Sequence, residues 1–200
     1  MKTKALIILL CALFSSCNSG HQKPTTPTAN LQTYVYWEDM SDMEKNDLLK
    51  QSDIDSMVLV YYEGKYKLTD DSITMNLLDS LGRIKEKDYR RPFYFFVMNR
   101  IYKESDGAVA EMLGNSCQDF MINNPLYVLV FFQKDKQMLE LYAQILGYEL
   151  YFKEQGTSDI KYQYTDFKKL IEESASKEPQ CKEVSSIFFS AIETVMKKMD

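Results

Sequence analysis

Histidine is almost absent from this chain. The single one, His21, lies in a polar stretch that contains prolines and has no regular apolar pattern. A catalytic histidine has to be held rigidly beside its partners, and a histidine that binds a metal ion has the same requirement. This scarcity excludes a Ser-His-Asp triad, a Cys-His pair and every histidine-based metal site from the folded domain.

Glycine and proline are also scarce, with seven and five residues in a chain of 200. No two glycines are adjacent, so the chain has no glycine-rich loop of the kind that holds phosphate groups. Few turn-forming residues, together with long periodic apolar runs, favour helices over a sheet of many strands. We expect no cofactor.

Basic residues are outnumbered by acidic ones, 24 to 29, which gives a formal net charge of −5. Removal of residues 1–16 takes away Lys2 and Lys4 and makes the charge −7. A chain with this balance lacks the basic patch that nucleic-acid phosphates require, so nucleic acid is not an expected partner. The same balance suits a basic protein partner.

The N-terminus, in contrast, has every part of a secretory signal. Lys2 and Lys4 form a positive start, residues 5–14 are apolar, and two serines precede Cys17. The apolar stretch is too short to span a bilayer, which takes about 20 residues. The segment Phe14-Ser15-Ser16-Cys17 resembles the lipobox of bacterial lipoprotein signal peptides. This resemblance implies cleavage before Cys17, a diacylglycerol on its thiol and a fatty acyl group such as palmitate on its new amino group.

The lipid at Cys17 would anchor the protein to a membrane, since two or more acyl chains hold a protein stably. No aspartate follows Cys17, so the signal for retention in the inner membrane of a Gram-negative cell is missing. We expect the periplasmic face of the outer membrane rather than the cell surface. After the signal peptide at 1–16, residues 17–30 are predicted to form a flexible lipidated tether, and residues 31–200 a folded domain.

Helix-start signals recur along this domain. Ser41 and Glu44 have capping-box spacing, and Asn124-Pro125 combines a cap residue with proline at the first helical position. Apolar residues then recur at helical spacing. The predicted helices are 41–49, 53–62, 69–84, 92–102, 105–123, 124–132, 136–153, 165–174 and 183–199. The sequence thus predicts a single all-α domain of seven to nine helices, stacked as helical hairpins.

Two segments suit two structures. Residues 57–68 are compatible with a small β-hairpin that turns at Glu63-Gly64, and residues 127–132 have strand-like composition, although the caps that flank both segments favour helices. A further stretch, Ser105-Asp-Gly-Ala-Val-Ala-Glu-Met-Leu113 followed by Asn124-Pro125, resembles an arrangement in uncharacterised secreted bacterial helical proteins. This resemblance implies stacked helical hairpins and assigns no residue roles.

Two cysteines remain in the predicted domain, and each falls on an apolar helical stripe: Cys117 and Cys181. A single pair in an oxidising compartment is expected to form a disulfide, which would stabilise the fold by about 4 kcal/mol for a loop of this length. The alternative is two separate buried thiols that pack as small apolar residues. We favour the disulfide, and neither alternative makes the cysteines catalytic.

Three aromatic residues, Tyr34, Tyr36 and Trp37, stand where the tether meets the domain. They are the candidate binding residues, because exposed aromatic rings at this place would stack on sugar rings or form a protein-binding hot spot. The alternative, which we favour, is that they hold the first residues of the domain against its core. Later tyrosines would line a groove between helices or cover its rim: Tyr142, Tyr148, Tyr151, Tyr162 and Tyr164.

Without a rigidly held histidine, carboxylates are the remaining side chains that can act as catalytic groups. Glu111 and Asp119 lie on one predicted helix, where they would share a face as a glycosidase pair does. Residues 38–47 contain five acidic residues but lack the spacing of a calcium-binding loop. Solvated helix faces and helix N-termini explain both groups more simply. We therefore predict no catalytic residue, no metal site and no enzymatic activity.

These patterns favour a lipid-anchored envelope protein that binds another protein through an acidic, Tyr-rich helical surface. An immunity-type protein that neutralises a toxin is one specific case, argued from location and charge alone. The alternative is a glycan-handling envelope lipoprotein, which either binds glycans through Tyr36 and Trp37 or processes them as a weak carboxylate hydrolase. A structural envelope component without a small ligand is the third hypothesis.

Overall fold

The computed structural model of the chain describes residues 34–199. Every regular element among them is helical, which confirms the predicted all-α domain. A single 3-10 turn, Trp37–Asp39, comes first, and α5 is a helix of only four residues. The α-helices are α1 (Asp42–Leu49), α2 (Ser56–Tyr62), α3 (Ser72–Gly82), α4 (Arg91–Glu104), α5 (Gly107–Ala110), α6 (Leu113–Asn123), α7 (Pro125–Lys134), α8 (Lys136–Glu154), α9 (Tyr164–Ala175) and α10 (Pro179–Lys197).

The predicted signal peptide at 1–16, the lipid site Cys17 and the tether at 17–30 lie outside the described residues and stay predictions. The domain boundary predicted at residue 31 also falls just before the first described residue. Among the helices of residues 34–199, none combines the length and apolar character that crossing a membrane requires.

Local hydrogen bonds determine several of the predicted helix starts. The Ser41 Oγ accepts from the Glu44 N–H at 3.3 Å, and a Glu44 carboxylate oxygen accepts from the Ser41 N–H at 2.8 Å, which completes the capping box. Asp71 and Asp135 likewise accept from backbone N–H groups in the first turns of α3 and α8. Pro125 occupies the first position of α7.

The β-hairpin alternative for residues 57–68 is wrong. Asp55 caps α2 by accepting from the Met57 N–H at 2.8 Å, and α2 then continues to Tyr62. Gly64, at φ +73°, turns the chain out of the helix, and no strand occurs between residues 34 and 199. The Asp55 cap therefore outweighs the valine and tyrosine residues of this segment, which favour a strand.

The helix predicted at 105–123 is two helices in the structure. α5 ends at Ala110, the chain turns at Glu111 and Met112, and α6 begins at Leu113. Glu111 and Met112 keep right-handed helical backbone angles through the turn. Because such a turn needs neither glycine nor proline, the residue pattern contains no signal for it.

The core is built where long helices pack along one another. α8 and α10, each of 19 residues, contact each other extensively, α7 and α9 pack on α10, and α6 packs on α3 and α8. Two isoleucines on these helices, Ile73 of α3 and Ile187 of α10, face solvent, at 45 and 52 % exposure. The most completely buried large side chains are mainly aromatic: Tyr94, Tyr102, Tyr127, Tyr142, Phe93, Phe95, Phe120, Phe132, Phe167, Phe188 and Phe189.

Two glycines allow the close approach of these helices. A Cβ at Gly147 of α8 would lie 2.7 Å from the Val195 Cβ on α10, and a Cβ at Gly82 of α3 would lie 3.0 Å from the Ser116 Cα on α6. Both distances are shorter than van der Waals contact between carbon atoms. The α8–α10 and α3–α6 contacts therefore require a residue without a side chain at these positions.

Candidate functional site

The three candidate binding residues at the start of the domain are buried. Tyr34, Tyr36 and Trp37 are only 7, 2 and 5 % exposed. The Tyr36 hydroxyl donates to the Tyr127 carbonyl at 2.9 Å, and the Trp37 ring lies 4.9 Å from that of Phe93. The alternative of an exposed binding surface is therefore wrong, and the favoured expectation is confirmed: these residues hold the start of the domain against α4 and α7.

The predicted disulfide is not formed. Cys117 on α6 and Cys181 on α10 are free, buried thiols. They lie in different surroundings, since Cys117 is next to the Tyr102 hydroxyl and Cys181 is near Glu178 and Tyr34. Burial raises the pKa of both thiols, that of Cys181 to about 11, so both stay protonated and unreactive at neutral pH. The structure therefore matches the alternative, in which two separate buried thiols pack as small apolar residues.

Glu111 and Asp119 do not share one helix, as the pairing of their carboxylates required. Glu111 lies in the turn that ends α5, and Asp119 lies within α6. Asp119 is partly buried, which raises its pKa, and it lies near Lys161. In the acidic segment 38–47, Glu44 is part of the capping box. Within residues 34–199, no group of three or more His, Cys, Asp or Glu residues is arranged to hold a metal ion.

A second apolar face of α8 is only partly covered by the rest of the protein. Leu141 and Ile145 are partly buried, while Tyr148 and Phe152 are 45 and 43 % exposed. These four side chains line a cavity of about 430 Å³, which we call the α8 groove. The other residues that line it are Tyr102, Ser105, Ala110, Glu111, Leu113, Gln144, Glu149 and Met199.

The α8 groove continues on the other side of Tyr148. A neighbouring cavity of about 590 Å³ between α8 and α10 shares Gln144, Tyr148 and Met199 with it. The Tyr151 hydroxyl donates to the Met199 carbonyl at 3.2 Å and so fixes the end of the described chain beside the groove. The Tyr148 ring therefore stands between two adjoining depressions.

Both charged residues that line the α8 groove are acidic, Glu111 and Glu149. Glu149 is partly buried, and this burial is the main reason that its pKa is raised, with the charges of Asp159 and Glu111 acting in the same direction. The Ser158 hydroxyl donates to Glu149 at 2.7 Å and orients the carboxylate. The Glu149 side chain also crosses α6 at Gly114, where an added Cβ would overlap it.

One of these groove residues was predicted from the sequence. Tyr148 was expected to line a groove or its rim, as it does, whereas Tyr142 is completely buried. Leu141, Ile145 and Phe152 were missed, although with Tyr148 they recur at helical spacing on a face different from the core stripe. A helix that is apolar on two faces is the signal that would have found them.

The α8 groove contains an apolar surface and two carboxylates, and no basic side chain lines it. Such a site can bind an apolar group that carries a positive charge. No protein-family model, no curated protein and no solved structure matches this chain.

Proposed function

We propose that this chain is a lipid-anchored, non-enzymatic protein of the cell envelope that binds another protein through the α8 groove. The anchor is the Cys17 lipid predicted from the lipobox, and the expected location is the periplasmic face of the outer membrane. The observation that carries the binding proposal is the exposure of Tyr148 and Phe152 inside a groove with acidic walls.

Exposed apolar residues indicate a binding site only when several of them lie together. Single ones are normal on any protein surface, and Met43, Ile73 and Tyr89 are examples here. Tyr148 and Phe152 differ because they are one helical turn apart and line the same cavity. Large aromatic side chains in a concave site are typical of the residues that dominate protein-binding energy.

The walls of the groove indicate the chemistry of the partner. A large apolar side chain of the partner fits among Leu141, Ile145 and Tyr148, and a neighbouring Lys or Arg pairs with Glu111 or Glu149. Because Glu149 is partly buried, such an ion pair is less weakened by water than one on an open surface. The net charge of −7 that remains after removal of residues 1–16 would also attract a basic partner from a distance. An immunity-type protein that neutralises a basic toxin remains one specific case.

The glycan alternative has no comparable support. Its binding version depends on the rings of Tyr36 and Trp37, which are buried and cannot stack on a sugar. Its hydrolase version depends on a carboxylate pair such as Glu111 and Asp119, which do not lie on one helix. No other observation favours it.

The first test is site-specific photocrosslinking of the full-length protein in its own envelope. A photoreactive amino acid replaces Tyr148, and the matched control replaces Tyr89, which is 52 % exposed and lies between α3 and α4. We expect one protein adduct from position 148 that is missing from position 89. The crosslinked segment should contain a large apolar residue with Lys or Arg within one helical turn. Absence of a specific adduct at 148, or an acidic crosslinked segment, would contradict the proposal.

The second test uses the crosslinked segment as a synthetic peptide in calorimetric titrations. Glu149→Gln and Glu111→Gln should each weaken binding by up to about fivefold, the range expected for partly exposed ion pairs. Glu172→Gln, an exposed change on α9, is the matched control and should leave the affinity unchanged. Equal affinities for all variants would show that the acidic walls do not select the partner.

A further inference from the structure

The exposed face of α8 carries a row of side chains with a cavity on each side. Gln144 and Tyr148 are four residues apart, so they form one row along the helix, and both are exposed. The α8 groove lies on the side of this row that faces α4 and α6, and the neighbouring cavity of about 590 Å³ lies on the side that faces α10. We call this neighbouring cavity the α10 depression. Because Gln144 and Tyr148 line both cavities, one bound segment can reach from one cavity into the other.

The two cavities differ in charge. The charged residues of the α8 groove are Glu111 and Glu149, whereas the α10 depression is lined by one acidic residue, Glu140, and one basic residue, Lys198. The α10 depression thus has no net charge. Its apolar lining consists of Ala143, Tyr148, Ala191, Val195 and Met199. A segment that covers both cavities therefore meets acidic walls on one side of the row only.

The helical architecture limits which kind of segment can cover both cavities. An extended peptide usually binds by adding a strand to a sheet edge, which pairs its backbone N–H and C=O groups, and residues 34–199 contain no strand. A helix pairs these groups within itself, so it can cover an apolar surface without leaving them unsatisfied. Side chains four residues apart also form the ridges that fit into the grooves of a second helix.

We propose that the partner presents an amphipathic α-helix, which lies across the row of Gln144 and Tyr148 and places one apolar side chain in each cavity. This inference rests on the proposed function and adds the shape and the direction of the bound segment. The two apolar residues are three, four or seven positions apart, as on one face of a helix. The Lys or Arg that pairs with Glu111 or Glu149 lies beside the residue in the α8 groove, because the α10 depression has no net charge.

Photocrosslinking from the α10 depression tests whether one segment covers both cavities. In the full-length protein in its own envelope, a photoreactive amino acid replaces Thr194, which is exposed and lines the α10 depression. The matched control replaces Ser186, which is exposed on α10 outside this cavity. We expect the adduct from position 194 to contain the same partner segment as the adduct from position 148, and no adduct from position 186.

The outcomes separate this inference from the proposed function. An adduct at position 148 without the same segment at position 194 would overturn the helix across both cavities and leave the proposed function standing. Absence of a specific adduct at position 148 would overturn both.

Proline substitutions in a synthetic peptide of the crosslinked segment test whether the segment is helical. Proline in the middle of the peptide, at a position that does not crosslink, should weaken binding by roughly a hundredfold in calorimetric titrations, because it disrupts a helix interior. Proline at the first position of the helical segment is the matched control and should change the affinity by less than about twofold. Equal affinities of the two peptides would overturn the proposal.

A substitution that fills the α10 depression tests the second apolar contact. Thr194→Tyr places a ring in this cavity and should weaken binding of the same peptide by about tenfold, the loss expected for one buried contact residue. Ser186→Tyr adds the same ring elsewhere on α10 and should leave the affinity unchanged. Both positions are exposed, so the fold should survive both changes. Equal affinities of the two variants would show that the partner does not enter the α10 depression.

Discussion

At the scale of single residues, this protein depends on positions where a side chain is missing. Gly147 sits directly against Val195, so the crossing of α8 and α10 leaves no room for a methyl group. At Gly114 the obstacle is the Glu149 side chain, whose Cγ would lie 2.2 Å from an added Cβ, so Glu149 must change rotamer and release its hydrogen bond from Ser158. Gly114 lies in the first turn of α6 and Gly147 in the interior of α8, and an alanine at either position forces a neighbouring side chain to move.

Alanine should therefore be unfavourable at both positions. Gly147→Ala should lower the free energy of unfolding by up to about 2 kcal/mol, because overpacking costs about 1–3 kcal/mol and the gain in helix propensity is about 1 kcal/mol. Gly114→Ala should lower it by about 1 kcal/mol, because Glu149 must release its hydrogen bond from Ser158. Urea unfolding of both variants measures the two values. An increase in stability for Gly147→Ala would mean that the approach of α8 and α10 is not limited at Gly147.

A second residue-scale prediction concerns the ionisation of Glu149. Burial raises its pKa in the folded protein above the ordinary value, so the folded state binds this proton more tightly than the unfolded state. Ionisation therefore opposes folding above the folded pKa, and the effect disappears as the pH falls through that pKa towards the ordinary value of 4.5.

We accordingly expect Glu149→Gln to be more stable than the unmodified protein at pH 7, with the difference shrinking towards pH 4.5. Urea unfolding at the two pH values measures it, and Glu172→Gln serves as an exposed control. The same change should weaken peptide binding, so stability and binding would move in opposite directions. A stability difference that does not depend on pH would refute this account.

At the scale of elements, α8 is the helix that joins the core to the surface. One face carries Leu146 and Leu150, both completely buried, and another carries Tyr148 and Phe152 in the α8 groove. A single helix thus provides both the packing of the domain and the proposed binding surface. Changes on the two faces should have separate consequences.

Leu150→Ala should lower the free energy of unfolding by about 2–5 kcal/mol, since it removes a buried side chain from the core. Phe152→Ala, two residues away, should cost less than about 1 kcal/mol because its side chain is already 43 % exposed. It should instead weaken binding of the crosslinked peptide. Thermal and urea unfolding together with peptide titration distinguish the effects, and a large stability loss for Phe152→Ala would place that residue in the core.

At the scale of the whole molecule, the accessibility of the two cysteine thiols shows whether the helices stay packed together. Cys117 and Cys181 lie on helices at different positions in the chain, and neither is accessible in the folded domain. A disulfide is not what holds these helices together, so reducing agents should not shift the unfolding temperature.

Alkylation provides the corresponding measurement. Iodoacetamide should leave Cys117 and Cys181 unmodified in the folded protein and modify both once urea unfolds the domain, because burial keeps the thiols protonated and shielded. Mass spectrometry of the two peptides identifies each site. Recovery of the peptides as a linked pair, or modification before unfolding, would contradict the structure.

The sequence alone determined the helical class and many helix starts, because these depend on residues three or four positions apart. Ser41 with Glu44 and proline at position 125 are read directly from the chain, and their hydrogen bonds form locally. The lipobox prediction at Cys17 is local in the same sense, since it depends on a few adjacent residues.

Tertiary structure decided the rest, because burial depends on segments that are distant in the chain. Cys117 and Cys181 share a favourable pattern for a disulfide, yet packing places them in different surroundings. The apolar residues of α8 recur on two faces, and only the arrangement of α4, α6 and α10 around it determines which face is covered and which lines the groove. Periodicity indicates that a helix has apolar faces, and contacts with the other helices decide what each face does.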